Sequence, residues 1–534
     1  MQNTKFYIHF ALLFCILLTN ACSDDNLDNS DAGQGAYAEE VAAYFQIQLN
    51  EGKNLRSSYL TLNGTPAENK INTLTFFIVD LKDDGELDWT WVKRASILAP
   101  SNLSNIKVSI KTNTGNKHVF VGANMSAAQI SSFCINRGQY TAVGNTYKDI
   151  VSNFADSLGH GFVMFGQMKM QGTESSVIKV DGGENIISTK ANLDRVVSKV
   201  ALTYTPTSDP SDTNEKHVTI GNGIGGFIDA DSVYFMLNAT SKSINFLGTS
   251  PRYTMSDYIK HNTDPDYQTL YHYQMDPTNH FVIYTPQGLV PGEVNLINTY
   301  PTETIKLPTD MLLGDNPYRQ GLSKPHDAGL DTDPKPEWHS YSSLYCLENT
   351  VNSTGIDFGS EQSTLKELRK GINTHVIVAA KYIPGMIYHY SAPDTDYTPI
   401  VLHADDGNDK LLEITSNNGD ANGPYTFYAV LQEPVATPAK YDYYTYDAKK
   451  FLDGKGNPPN FIAYKGAYGY YSTFVTQDPL AKDEDYDLER NNFYVLNVKE
   501  FTPPGAVYPQ QVYMLINSQT VDWEVQKAIN VPLD

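Results

Sequence analysis

The stretch YAEEVAAYFQIQLNEGKNLR, Tyr37–Arg56, decides how the rest of the chain is interpreted. Its apolar side chains recur at every second position, at Val41, Ala43, Phe45, Ile47 and Leu49. The residues between them are mostly polar, and this alternation is typical of a strand with one buried face. The stretch therefore predicts the first β-strand of the mature chain, with a turn-like segment, EGKNLRSS, directly after it.

Arg56 is the first arginine of the sequence, and Lys53 is the only other basic residue between this strand and Lys70. A trypsin-like protease cuts after such residues. One interpretation is an ordinary first strand followed by a loop that happens to contain an arginine. The other is that the strand is removed by a cut after Arg56, which would make Ser57 the new N-terminus; a cut at Lys53 is an open alternative.

The N-terminus has the features of a secretory signal peptide. Lys5 precedes an apolar run from Phe6 to Leu18, which is too short and too weakly flanked for a membrane-spanning helix. The sequence LTNAC, ending at Cys22, resembles the lipobox of bacterial lipoproteins, in which the cysteine thiol receives a lipid. We therefore expect a lipoprotein signal peptide over 1–21, lipidation (palmitate) at Cys22 and a disordered acidic tether over 22–36.

The composition bounds the class of protein. With 39 basic and 61 acidic residues the formal net charge is −22, which argues against binding to nucleic acid. The 36 tyrosines, 37 glycines and 28 prolines favour a β-rich extracellular protein with many turns. Alternating segments recur along the chain, with short helical segments in the connections. The fold class expected from these patterns is all-β.

Motifs for catalysis are absent from the sequence. It contains no HExxH, GxSxG, CxxC or Walker-type loop, and no GxGxxG between a strand and a helix. The histidines have no ligand-like spacing, and the acidic clusters do not match a calcium loop. We therefore expect no catalytic residue, no metal site and no cofactor, and a protein that is not an enzyme.

Five segments, taken in their order along the chain, resemble the fimbrillin family, the subunits of type V pili of Bacteroidales-type bacteria, and more closely its larger minor-fimbrium type. The segments are the strand VAAYFQIQL with Arg56 downstream, the hairpin ending VFVGAN, NLDRVVSKVAL, RNNFYVLNV, and a C-terminal tail that contains Trp523. The central region, residues 251–345, carries no such resemblance.

The resemblance implies two transthyretin-like β-sandwich domains in tandem. The corresponding division of the chain is a removable N-terminal strand over 37–56, an N-terminal β-sandwich over 57–185, a C-terminal β-sandwich with long insertions over 186–504, and a tail over 505–534 after the break at Pro503–Gly505.

The resemblance also implies a function. A sandwich that loses the strand Val41–Leu49 exposes an apolar groove, which a strand from a neighbouring copy can fill. The donor expected for this exchange is the tail, whose apolar residues again alternate: Val512, Met514, Ile516, Val521, Trp523 and Val525. Head-to-tail addition of this kind does not close on itself, so it builds a filament.

The expected partners are therefore other copies of the chain and accessory fimbrial subunits, an Arg-specific protease, the outer membrane through the lipid before processing, and a host or bacterial receptor. The expected location is the surface of the cell outer membrane and then the assembled fimbria, with a role in cell adhesion.

A second hypothesis is a surface glycan-binding lipoprotein of a nutrient-uptake system. It would use aromatic side chains such as Trp89, Trp91, Tyr470 and Tyr471 as sugar platforms. The tyrosine-rich segments YDYYTYD and YGYYST are equally consistent with aromatic pairs between neighbouring strands, which need no ligand.

Overall fold

The structure is a computed structural model. It describes residues 22–24, 40–51, 61–63, 68–98, 100, 103–144, 147–156, 161–183, 186–204, 217–218, 220, 225–229, 233–248, 253–254, 281–282, 343–349, 351–352, 373–390, 396–403, 407–416, 419–433, 440–475, 488–506 and 515–524.

Strands dominate these residues, and short helices lie in the connections between them, which confirms the expected all-β class. The α-helices are α1 (Ala127–Ile135), α2 (Tyr147–Ser152), α3 (Gly407–Thr415) and α4 (Tyr446–Asp453), and Lys465–Ala467 form a 3-10 turn. None of the helices in the described ranges is long and apolar enough to cross a bilayer. The division into two tandem sandwiches stays a prediction.

The strands of the N-terminal part are β1 (Cys22–Asp24), β2 (Val41–Glu51), β3 (Thr61–Asn63), β4 (Thr73–Leu81), β5 (Leu87–Leu98), β6 (Ile106–Thr112), β7 (Gly115–Ala123), β8 (Gln139–Thr141), β9 (Ala155–Asp156), β10 (Gly161–Phe162), β11 (Met164–Met170), β12 (Ile178–Val180) and β13 (Ile186–Arg195).

The strands that follow are β14 (Val197–Tyr204), β15 (His217–Val218), β16 (Gly226–Asp229), β17 (Tyr234–Asn238), β18 (Thr240–Ser241), β19 (Ser243–Asn245), β20 (Tyr253–Thr254), β21 (Phe281–Val282), β22 (Ser343–Leu347), β23 (Val351–Asn352), β24 (His375–Pro384), β25 (Met386–His389), β26 (Thr398–Val401), β27 (Phe427–Glu433), β28 (Lys440–Tyr444), β29 (Ile462–Tyr464), β30 (Tyr468–Phe474), β31 (Asn492–Glu500) and β32 (Leu515–Glu524).

The first sheet has the strand order β1-β5-β4-β7-β11-β13-β2-β6, and β12 also pairs with β7. Helix α1 packs on this sheet through Phe133, whose ring centroid lies 4.3 Å from that of Phe77 and 5.2 Å from that of Phe165. A capping box fixes the start of α1, because Ser126 and Gln129 each accept a backbone N–H of the other. The core of this sheet is therefore largely aromatic.

The second sheet has the strand order β22-β14-β31-β32-β3, and its strands other than β3 begin with β14. The preceding strand, β13, pairs with β11 and β2 and so belongs to the first sheet. The sequence analysis predicts that the second domain begins at Ile186, which is the first residue of β13. In the structure the passage between the sheets comes about one strand later, at Val196, between the ends of β13 and β14.

Two further sheets complete the described part of the chain. One has the order β15-β16-β24-β17, with β30 also paired to β24, and the other has the order β26-β25-β28-β27-β29. Short two-stranded pairs join β9 with β10, β8 with β19, β18 with β21, and β20 with β23. The pair of β8 with β19 links a connection of the first sheet to a segment that follows β14.

The stability of the folded chain is expected to fall as the pH drops below about 6.5, because of His118 on β7. Burial lowers the pKa of this imidazole from its usual value, so the unfolded chain takes up the proton first. Urea denaturation at a series of pH values checks this, with His118→Gln as the comparison. The expected result is a smaller loss of stability in the variant as the pH falls below about 6.5; an equal loss in both proteins would contradict it.

Candidate functional site

The strand β2 lies inside the first sheet, with neighbours along both edges. It runs antiparallel to β6, with Val41 opposite Thr112 and Ile47 opposite Ile106. It runs parallel to β13, with Tyr44 opposite Ile186. The strand predicted from the first stretch of sequence is therefore present over Val41–Glu51, and it is an interior strand of the sheet.

The five apolar side chains of β2 lie on one face, as the alternation predicts. Ala43, Phe45, Ile47 and Leu49 are buried, with Ile47 at 0% and Phe45 at 1% exposure, and Val41 is half-buried against the same core. On the opposite face Tyr44 is exposed. Each fully buried large apolar side chain contributes about 1.5–3 kcal/mol, so β2 is a substantial part of this core.

Polar contacts at the ends of β2 extend its pairing. The backbone N–H of Leu49 donates to the carbonyl of Leu103 at 3.0 Å, beyond the first residue of β6. Just before the strand, Lys93 Nζ lies 2.6 Å from the carboxylate of Glu40. This ion pair is partly exposed and contributes little to stability, so backbone pairing and apolar burial are what hold β2 in place.

Removal of β2 would leave unpaired backbone groups and uncovered apolar side chains. The facing backbone groups of β6 and β13 would lose their partners, and buried side chains beside the gap, such as Ile106, Ile110 and Leu193, would be uncovered. An open apolar slot between two unpaired strand edges is a template for another strand. We call the space that β2 occupies the groove.

The residues predicted for processing and lipidation are only partly placed. Arg56 and Ser57 lie outside the described residues. Cys22 is the first residue of β1, which pairs in parallel with β5 in the register Cys22 to Val92. Residues 25–36 of the predicted tether lie outside the described residues.

The predicted donor tail provides one strand of the second sheet. The strand β32 pairs antiparallel with β31 and, along its other edge, parallel with β3. Ile516, Val521 and Trp523 lie on β32, whereas Val512, Met514 and Val525 lie outside the described residues. In this conformation the tail is therefore paired within its own chain.

Two residues of the tail pattern have register partners on β31. Ile516 lies opposite Val498, and Val521 lies opposite Phe493.

A buried ion pair lies where the first and second sheets meet. Lys199 Nζ on β14 lies 2.9 Å from the carboxylate of Glu68, and both side chains are almost fully excluded from solvent. The hydroxyl of Tyr345 on β22 donates to the same carboxylate oxygen. Lys199 also lies over the ring of Phe493 on β31, 4.9 Å from its centroid. Glu68 is thereby fixed to two strands of the second sheet, β14 and β22.

Arg195, at the end of β13, extends this cluster and is itself fully buried. Its Nε donates to the backbone carbonyl of Glu68 at 3.2 Å, and its Nη1 donates to the side chain of Asn491 at 3.1 Å. Another guanidinium nitrogen donates to the side chain of Asn69. Burial lowers the pKa of Arg195 to about 10, which still leaves it charged at neutral pH. We call Glu68, Arg195, Lys199, Tyr345 and Asn491 the junction cluster.

The sequence reading singled out the segments that supply this cluster but not the cluster itself. Arg195 and Lys199 come from NLDRVVSKVAL, and Asn491 comes from RNNFYVLNV. One signal for the cluster was present in the sequence: charged residues stand at alternate or near-alternate positions in otherwise apolar strands. Charged side chains are rarely buried without partners, so such positions indicate a buried polar contact. Nothing in the polar surroundings of Glu68 indicated that it was the acidic partner.

The aromatic residues proposed as sugar platforms are mostly enclosed. Tyr470 and Tyr471 are buried, and Trp89 packs edge-on against Phe133 at 5.4 Å. Trp91 is the member of this set that is exposed, at 54%. In YDYYTYD the ring of Tyr444 stacks on that of its neighbour Tyr388, 5.1 Å away. These contacts favour the interpretation as aromatic pairs within the sheets.

Within the described ranges, no group of three or more His, Cys, Asp or Glu side chains is placed to hold a metal ion.

Residues 43–224 match the family model described as major fimbrial subunit protein (FimA). This match confirms the resemblance to fimbrial subunits, and it spans both β2 and β14. No curated protein matches the chain. Among solved structures, a fimbrilin (FimA) from Porphyromonas gingivalis is 11% identical, with 91% of this chain and 98% of that chain covered and a TM-score of 0.40. The tip fimbrial protein Mfa3 from the same organism is 11% identical, with 90% of this chain and 100% of that chain covered and a TM-score of 0.30.

Proposed function

We propose that this chain, which resembles fimbrial subunits over residues 43–224, is a structural subunit of a cell-surface fimbrium that polymerises by strand replacement. The observation that carries the proposal is the position of β2. An interior strand with an almost fully buried apolar face stands immediately before the segment that contains Arg56. A loop that happens to contain an arginine would explain the presence of Arg56. It would give no role to the position of Arg56 directly after a buried interior strand.

In this proposal the chain is exported as a lipoprotein with lipid on Cys22 and reaches the outer face of the outer membrane. There, β2 keeps the precursor monomeric, because it fills its own groove. An Arg-specific protease cuts after Arg56, and the tail of another copy then replaces β2. Repetition of this step builds the filament, with accessory subunits at its ends and a role in cell adhesion.

The experiment uses purified protein that lacks residues 1–22, treated with an Arg-specific protease and followed by N-terminal sequencing and electron microscopy. We expect wild-type protein to gain Ser57 as its N-terminus and to form filaments or SDS-resistant ladders. The matched control, Arg56→Ala, should keep its N-terminus and stay monomeric. Cleavage at Arg56 that leaves a stable monomer would overturn the proposal. Cleavage at Lys53 followed by normal assembly would show that the processing site is Lys53 and not Arg56.

The glycan-binding alternative has weaker support, because Tyr470 and Tyr471 are buried, Trp89 is half-buried against the core, and Trp91 is the one member of the set that is exposed. Polysaccharide binding by the cleaved monomer, lost in Trp91→Ala, would favour it.

A further inference from the structure

The short strand β3 covers the outer edge of the donor strand. Thr61, Leu62 and Asn63 pair in parallel with Asp522, Trp523 and Glu524. The other edge of β32 is already paired with β31, so β3 completes the pairing of this end of β32. An edge without β3 would offer unpaired backbone groups at the tail.

The chain on each side of β3 is fixed to the body of the protein. On the upstream side it continues from β2, which is buried in the first sheet and ends at Glu51. On the downstream side Glu68 is held in the junction cluster by Lys199, Tyr345 and the Arg195 Nε atom. A strand of three residues makes few hydrogen bonds and is weak by itself. Tethering at both ends keeps its effective concentration beside β32 high.

Arg56 lies in sequence between β2 and β3. A cut there leaves β2 as the end of one fragment and β3 near the new end of the other. The upstream tether of β3 is lost, while the downstream tether at Glu68 remains. The same event removes the covalent link that returns a displaced β2 to its groove.

We propose that β2 and β3 form a double latch, in which one cut after Arg56 prepares both ends of the subunit for assembly. The groove becomes open to exchange, and the tail strand loses the restrained strand that covers its edge. The latch rests on the proposed function, because it assumes cleavage after Arg56 and donation of the tail. It explains why an uncut precursor neither accepts a strand nor donates one.

The first test needs no filament. Hydrogen exchange of the amides of residues 515–524 is measured by mass spectrometry before and after cleavage, at a dilution where the protein is monomeric. We expect exchange in β32 to become about tenfold faster or more after the cut. Arg56→Ala treated with the same protease should show no change. Unchanged exchange in a fully cut wild-type sample would overturn the latch, whether or not the protein polymerises.

The second test locks β3 onto β32 with a disulfide in the double variant Thr61→Cys/Asp522→Cys, since these residues are register partners. After cleavage, the oxidised variant should fail to polymerise alone, and it should stop the growth of wild-type filaments because it accepts a tail but cannot donate one. The reduced variant, which is chemically identical apart from the crosslink, should polymerise within about twofold of wild type.

Polymerisation of the oxidised variant at the wild-type rate would show that β32 donates without leaving β3, and would overturn the latch while the proposed function stands. Failure of cleaved wild-type protein to polymerise would instead overturn the proposed function. In that case the exchange measurement on β32 still decides whether the cut loosens the tail.

Discussion

Replacement of Phe45 by alanine is expected to lower the unfolding free energy of the uncut protein by about 3–5 kcal/mol. Phe45 is only 1% exposed on an interior strand, so the truncation removes a full aromatic side chain from the core and leaves a cavity. Urea denaturation of uncut wild-type and variant protein measures the effect. The cavity also weakens the hold of the groove on β2, so the cleaved variant should assemble faster than cleaved wild type.

Tyr44→Ala is the matched control, since Tyr44 is the adjacent residue of the same strand and is 39% exposed. Its effect on stability should stay within about 0.5 kcal/mol. If β2 is replaced on assembly, as proposed, Phe45→Ala should have no effect on the resistance of filaments to denaturant. Filaments weakened by the Phe45 variant as much as the precursor would argue that β2 is retained.

Replacement of Lys199 by methionine is expected to cost about 3–5 kcal/mol of unfolding free energy, because it leaves the Glu68 carboxylate buried without its cation. The two side chains are 2% and 1% exposed, so water does not compensate the remaining charge. Denaturation of the uncut protein measures the loss. The double variant Lys199→Met/Glu68→Leu should recover only part of it. Apolar groups can replace a buried ion pair at small cost, but the buried guanidinium of Arg195 then loses the Glu68 charge.

The comparison for this pair is Lys93→Met, which breaks the ion pair with Glu40. Those side chains are 22% and 48% exposed, so the expected cost is at most about 1 kcal/mol. Equal losses in Lys93→Met and Lys199→Met would mean that water reaches the junction cluster. A double variant as unstable as the sum of its single changes would mean that Glu68 and Lys199 do not act as a pair.

The alternation of apolar residues was sufficient to place several strands, including the most important one. The period-two pattern at Val41–Leu49 corresponds to β2, because an alternating pattern states directly which face is buried. The sequence also predicts a hairpin ending VFVGAN. Both of its strands are present as β6 and β7, but they do not pair with each other, because β6 pairs with β2 and β7 pairs with β4, β11 and β12.

The alternating patterns do not predict which strands pair with each other. Alternation does not say which strand lies alongside, so the pairing of β13 with β2 could not be predicted from it. The junction cluster was missed for a similar reason. Glu68 meets Lys199 and Tyr345 across separations of 131 and 277 residues, and no local periodicity encodes contacts of that range.

The mixed pairing around β2 bears on how a filament acquires its direction. The neighbours β13 and β6 run in opposite directions, one parallel and one antiparallel to β2. An incoming strand inserted backwards would still find one neighbour of each kind, so the backbone ladders select neither orientation. We therefore expect side-chain size to select the orientation of the incoming strand. The small Ala43 and the large Phe45 lie next to each other on the buried face of β2, so the groove has a narrow and a wide position in a fixed order. In the proposed filament, we therefore expect the order of large and small side chains along the incoming strand to set the polarity.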